Sequence, residues 1–190
     1  MGLIILLVVI ALIAFWFIGA YNGLIGLKNQ VANAWKQIDV QLKRRHDLIP
    51  NLVNTVKGAM EFERGTLEAV ISARNRAIGA TGVKETAKAE GELTHALGRL
   101  FALTEAYPDL KANANIAQLQ EELTSTENRV GFARQHYNDV ATQYNTRQSQ
   151  FPTNLVAGLA KASPAELWEI EDAAERAVPN VDLSFGKPPA

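Results

Sequence analysis

From Leu24 onward the chain sets an apolar or small residue at every third or fourth position: Leu24, Leu27, Val31, Ala34, Ile38, Leu42, then Arg45, Ile49, Leu52, Val56 and Met60. That spacing lines one buried face of an α-helix. Around Ile38 and Leu42 the steps take the form of a stutter, which brings Arg45 onto or beside the seam. A buried arginine requires a carboxylate partner.

A cleaner repeat follows Asp109. Ile116, Leu119, Leu123, Thr126, Val130, Ala133, Tyr137, Val140, Tyr144 and Phe151 keep a seven-residue period, with Arg147 breaking the last step. The sequence predicts its start at Tyr107-Pro108-Asp109, with Asp109 as N-cap, and its end at Phe151-Pro152. Between Gly79-Ala80-Thr81-Gly82 and Pro108, a third helix from about Val83 to Ala106 shows Leu93, Ala96, Leu97, Leu100 and Leu103 on one face.

Length constrains how these helices associate. A single straight helix from Gly23 to Ile78 would run roughly 80 Å, whereas the next could return only about 35 Å and the last spans about 60 Å. Pro50 removes a helical hydrogen bond and disfavours the α region at Ile49, so a reversal at Asp47 to Asn51 is expected. A proline kink in a continuous helix is the competing reading. With the reversal, the predicted fold is all-α: an N-terminal transmembrane helix followed by an antiparallel up-and-down four-helix bundle, with helices at about 23–47, 51–78, 83–106 and 109–150. The domain boundaries expected are an anchor at 1–22, a bundle at 23–156, and short helices with an extended tail at 157–190. Within that last part Asn154 to Lys161 and Ala165 to Ala177 read as short helices, the second with Ser163 as N-cap and Pro164 at its first position.

The anchor is the stretch Gly2 to Ala20, which carries no charge and is almost wholly Leu, Ile, Val, Ala and Phe. As a helix it rises roughly 28 Å, close to the thickness of a bilayer core. A cleaved signal peptide is the rival reading; no Lys or Arg precedes the apolar run, and Ile18 spoils a small-x-small cleavage site at Ala20. Residues 3–20 are thus expected to lie in the lipid bilayer. Lys28 and Lys36 follow the span while no side-chain cation precedes it, which favours a single pass in the cell membrane with the N terminus outside and the bundle cytoplasmic.

Composition removes several function classes. Nineteen Lys and Arg against twenty Asp and Glu give a net charge of -1, so no overall field attracts nucleic acid. Without cysteine there is no disulfide, thiolate metal site or Cys nucleophile. His46, His95 and His136 fall on three predicted helices without metal-ligand spacing, and read as surface residues. Neither Gly-x-Ser-x-Gly nor a phosphate-cradling glycine loop occurs. No catalytic residue, cofactor-binding residue, metal site or cofactor is expected, and the chain reads as a non-enzyme.

The basic run Lys43-Arg44-Arg45-His46 looks like a lipid or nucleic-acid patch. It sits roughly 35 Å of helix above Ala20, several Debye lengths from the membrane. Flanking Asp39 and Asp47, and the lack of an aromatic platform, argue against nucleic acid. A structural role fits better: Asp39 with Lys43 along the helix, Asp47 near the turn, and Arg45 across the seam. Setting Tyr21 opposite Phe151 in an antiparallel pair brings Arg45 level with Glu127, the expected core ion pair.

Several segments resemble the LemA family: Tyr21-Asn22-Gly23-Leu24; the run from Ala34 to Val53; Ala106-Tyr107-Pro108-Asp109-Leu110-Lys111-Ala112-Asn113; Thr126-Glu127-Asn128-Arg129; Tyr137-Asn138 with Tyr144-Asn145; and Phe151-Pro152-Thr153-Asn154-Leu155. They occur in order from about residue 20 to 156. The resemblance implies a bacterial single-pass membrane protein with a helical-bundle domain and no established family-wide activity. It also implies, through family members encoded beside membrane metalloproteases, a membrane-protein partner of that kind. One departure is Met60-Glu61-Phe62-Glu63, where family members often carry a His-Glu pair; Glu61 with Glu63 reads as two exposed carboxylates rather than an acid-base pair.

Function is therefore sought on surfaces. In the expected topology Arg44, Asp47, Pro50, Asn51, Tyr107, Asp109, Lys111 and Asn113 converge at the pole far from the membrane, as an interaction site or simply as helix-connecting turns. A membrane-anchored scaffold or adaptor is the leading class. A membrane-shaping homo-oligomer is the second, with Phe151, Leu155, Val156 and Trp168 as interfacial anchors and Gly19-x-x-x-Gly23 as a helix contact. An enzyme without a recognisable motif is the third. Val178 to Phe185 could add a strand to a partner sheet, against the default of an unstructured tail.

Overall fold

The computed structural model describes residues 1–57 and 63–169, apart from the side chains of Asp109 and Lys111. Every regular element among them is helical: α1 Gly2–Lys57, α2 Arg64–Gly79, α3 Val83–Ala106, α4 Pro108–Lys111, α5 Ala114–Ser149 and α6 Asn154–Ala157. The chain is all-α, and its N-terminal helix is long and apolar enough to cross a membrane.

α1 does not reverse at Asp47 to Asn51. It runs through Pro50 to Lys57, roughly 84 Å as one helix. The proline cannot donate to the carbonyl of His46 one turn earlier, a loss that ordinarily breaks a helix. Arg74 of α2 replaces that donor, its Nε–H reaching the His46 oxygen at 2.7 Å. α2 packs against α1, so the expected helices 23–47 and 51–78 are replaced by α1 and α2. Met60, Glu61 and Phe62 lie outside the described residues.

α1 and α5 run antiparallel over the length of the domain, while α2 and α3 form a shorter hairpin against their outer halves. Helix lengths explain this: α2 and α3 rise about 24 and 36 Å, whereas α5 and the part of α1 beyond Ala20 each rise about 55 Å. In the outer half, Ile49, Leu52, Val56, Val70, Leu93, Leu100, Ile116 and Leu123 form one apolar core from four helices. Each such aliphatic side chain contributes about 2 kcal/mol by leaving water. Nearer the apolar end of α1 the core narrows to Ala34, Ile38, Leu42, Val130, Tyr137 and Ala141, closed by Trp168. Leu24, Tyr144 and Ala160 form the last cluster.

The turn between α2 and α3 passes through Gly82, whose φ of 83° is open to glycine and strained for other residues. Asp109 is not the N-cap of the long return helix. It lies in the short α4, and Asn113 caps α5 by accepting the N–H of Asn115 at 3.0 Å. The seam at the end of α5 passes through buried Gln148 rather than Arg147, and Phe151 is 80% exposed, outside the heptad expected of it.

Beyond Ser149 the chain makes a few helical turns and then extends. Residues 162–169 are not helical, so the helix expected from Ala165 does not begin there and Ser163-Pro164 start none. The reason lies in their partners on α5. Asn145 donates to the Ala165 carbonyl at 2.8 Å and accepts its N–H at 2.7 Å. Asn138 does the same for Trp168, at 2.9 and 2.8 Å. Two asparagines seven positions apart on a helix stand about 10 Å apart, the span of three extended residues. The side-chain amides thus imitate a neighbouring strand for the strap at 162–169.

Candidate functional site

A polar layer lies between the outer and middle apolar clusters. Arg45 enters it from α1, at the seam position reached through the stutter, and is almost fully buried. Its Nη1 donates to Glu90 Oε2 at 2.8 Å, and its Nη2 donates to Thr94 Oγ1 at 2.8 Å and to Glu127 Oε2 at 2.6 Å. Arg45 and Glu127 are therefore together across α1 and α5. The most buried partner, however, is Glu90 of α3: the Arg45 and Glu90 side chains are each 3% exposed, against 34% for Glu127.

His46 belongs to the same layer. It is buried rather than on the surface, and its Nε2 lies 2.6 Å from Glu90 Oε1. Glu90 thus meets both α1 side chains, Arg45 at Oε2 and His46 at Oε1. Arg74 on the His46 carbonyl adds α2, and Arg134 Nη2 at 3.6 Å from Glu127 Oε1 adds a second cation from α5. All four long helices meet in this layer. It pins their register, since a slip of one turn would strand a charge among apolar side chains.

Sequence periodicity carries a signal for Glu90: the stripe Leu100, Leu97, Leu93 steps back by three to a carboxylate. No local pattern marks Arg74, because its task is set by a proline on another helix. The asparagines of the Tyr137-Asn138 and Tyr144-Asn145 pairs, seven residues apart, are the ones that hold the strap, a role their resemblance to the family did not indicate.

The strap is further fixed by aromatic contacts. Tyr137 donates its hydroxyl to the Glu166 carbonyl at 2.7 Å, Trp35 meets Tyr137 edge-on at 5.5 Å, and Trp168 lies 6.0 Å from Trp35 with Arg134 over its ring. Burial, and next the nearby charge of Glu166, push the Tyr137 phenol above its ordinary pKa. Burial alone does so for Tyr144, whose hydroxyl has no hydrogen-bond partner among the described residues.

Of the eight residues expected at one outer pole, the four from α1 do not lie at a helix end. Arg44, Asp47, Pro50 and Asn51 lie along the shaft of α1, with Arg44, Asp47 and Asn51 exposed and Pro50 half-buried. Continuity of the helix through Pro50 removes the turn that would have placed them at the end. Lys43 pairs forward with Asp47 at 3.3 Å rather than with Asp39. Tyr107 and Asn113 flank α4 at the junction of α3 and α5; the side chains of Asp109 and Lys111 lie outside the described residues. Val156 and Trp168 are buried, which removes them as membrane anchors, while Phe151 and Leu155 are exposed. Val178 to Phe185 lie outside the described residues. No group of three His, Asp or Glu residues arranged for a metal occurs among the described residues.

Beyond the apolar end of α1, the five most exposed large apolar side chains among the described residues fall in two places. Val40 and Phe132, the latter 73% exposed, line an open groove on the two-helix part of the domain with Gln37, Gln41 and His136. Phe151, Leu155 and Leu159 form the second.

Comparison with known proteins agrees with this architecture. Protein LemA of Metamycoplasma hominis is 29% identical, over 78% of this chain and 68% of that protein. Magnetosome protein MamQ 2 of Paramagnetospirillum magneticum is 24% identical, over 82% and 66% respectively. Magnetosome protein MamQ of Magnetospirillum gryphiswaldense is 22% identical, over 78% and 65%. The chain thus spans about two thirds of the length of each, and these likenesses support a membrane-associated helical protein. Residues 34–183 match the LemA family, covering the polar layer, the return helix and the strap, and the chain belongs to that family.

Proposed function

We propose that the chain is a single-pass, membrane-anchored helical adaptor that holds a four-helix head away from the bilayer for a membrane-protein partner. The observation that carries this reading is the continuity of α1, which passes from its apolar end into the domain core as one helix. Span and shaft then move as one body, with the four-helix head roughly 35–55 Å above the membrane edge. The buried polar side chains support the same reading: Arg45, His46 and Glu90 satisfy one another and join helices. The partner is a membrane protein, of which a metalloprotease is the kind the family resemblance implies. Lys28 and Lys36 beyond the span favour a cytoplasmic head.

Crosslinking in native membranes followed by copurification tests the adaptor. A stable, stoichiometric membrane-protein partner is expected; recovery of the chain alone overturns the reading. A reporter fused to the C terminus tests orientation, and its export would reverse the assignment. The groove at Val40 and Phe132 favours a second reading, self-association through that face. Because the chain has no cysteine, Val40→Cys and Phe132→Cys variants would report it directly, by disulfide-linked dimers.

A further inference from the structure

We propose that Phe151, Leu155 and Leu159 form a second membrane contact, a foot by which the C-terminal end of the bundle rests in the headgroup boundary of the bilayer that α1 crosses. This rests on reading the apolar end of α1 as a membrane span. Among the described residues beyond the span these are three of the four most exposed large apolar side chains, at 80%, 65% and 68%. Leu155 and Leu159 are four residues apart in consecutive helical turns, with Ala160 N–H bonded to the Val156 carbonyl, so they share one face. Val156 and Ala160 point the other way, into the domain.

The height of this face identifies what covers it. Tyr144 and Ala160 pack against Leu24, and α5 descends a further turn to Ser149 before Phe151. Ala20 is the first buried position of α1, whereas the apolar run before it is open to its surroundings. The bundle therefore begins where the span ends, with no spacer. An exposed phenylalanine and two leucines at that level face the boundary between acyl chains and headgroups, where such side chains bury a few ångströms deep.

Charge complements the lipid surface. The segments nearest the membrane, 1–38 and 140–165, contain Lys28, Lys36, Arg147 and Lys161 and no Asp or Glu. Lys28 also donates to the Lys161 carbonyl at 3.4 Å, tying the foot to α1 just above the span. Cations flanking an apolar face fit an anionic bilayer and would repel nothing there. Span and foot together give two points of attachment, which set the tilt of α1 where one span leaves it free.

The test uses the full-length chain in phosphatidylcholine vesicles containing anionic phosphatidylglycerol. Single cysteines replace Ile10, Phe132, Leu155 or Leu159, each carrying an environment-sensitive fluorophore, and nitroxide lipids quench at shallow or deep positions. Leu155→Cys and Leu159→Cys are expected to be quenched by shallow nitroxides at least threefold more than Phe132→Cys, while Ile10→Cys is quenched by deep ones. Quenching at Ile10 with none above the Phe132 level at 155 and 159 overturns the foot and leaves the span standing. A blue-shifted but unquenched signal at 155 and 159 also overturns it, since a protein then covers the face. Absence of deep quenching at Ile10 overturns the span and the foot that rests on it.

Discussion

Replacing Glu90 by alanine removes the carboxylate that accepts from Arg45 at 2.8 Å and lies 2.6 Å from His46. The guanidinium, 3% exposed, is left inside the bundle with Thr94 and the half-exposed Glu127. Removing one partner of a buried ion pair costs about 3–5 kcal/mol, mostly because the remaining charge stays desolvated. Glu127 is open enough to water that Glu127→Ala costs about 1 kcal/mol. At about 3 °C per kcal/mol for a chain of this length, Glu90→Ala lowers Tm by roughly 10 °C and Glu127→Ala by a few degrees. Far-ultraviolet circular dichroism of the full-length protein in detergent measures both. An Arg45→Met/Glu90→Leu double variant recovers much of the loss, since neither charge then needs burying. Equal losses for the two glutamate variants, or a double variant no better than Glu90→Ala, would refute the polar layer as a buried, mutually dependent unit.

Arg74→Met leaves the His46 carbonyl without its replacement donor and costs about 1–3 kcal/mol; amide exchange is expected to quicken around Pro50 first, and unchanged protection there would show that the proline needs no partner. Asn138→Ala with Asn145→Ala removes four strap hydrogen bonds, worth about 1 kcal/mol each. Limited proteolysis should then cut between Ala162 and Glu169 while α5 stays protected. The raised Tyr137 and Tyr144 phenols bind their protons more tightly in the folded chain than in the unfolded one. Their contribution is complete below about pH 10 and is lost as pH rises through the folded values. Denaturant midpoints should therefore fall more steeply above that pH for the natural protein than for Tyr137→Phe/Tyr144→Phe, and identical slopes would exclude the tyrosines as the cause.

Helix α3 was legible to the residue, and the seams of α1 and α5 nearly so, because a buried stripe must recur with the helical period whatever it packs against. Arg45 was legible as a charge needing a partner for the same reason. Pro50 was not legible in its effect. The penalty it imposes is local and visible in sequence, but its relief comes from Arg74, on a helix whose position depends on the fold. The reversal expected at Asp47 to Asn51 goes with it, and with it the helix end on which four residues of the outer pole were placed. His46 looked like a surface residue because a histidine beside a basic run carries no mark of burial. No helix starts at Ala165 although Ser163-Pro164 is a good local signal, because backbone propensity is outweighed by four amide hydrogen bonds from α5.

The sequence by itself determined that this chain is helical, that its apolar N-terminal run suits a bilayer, and that a charge lies on its main seam. Those properties follow from period, length and composition along one strand of chain. The tertiary structure decided that α1 is one unbroken shaft, that Glu90 rather than Glu127 is the deepest partner of Arg45, and that residues 162–169 form a strap rather than the start of a helix. Each of these depends on which donor or acceptor arrives from a distant helix, and no periodicity in the chain records where that group will be.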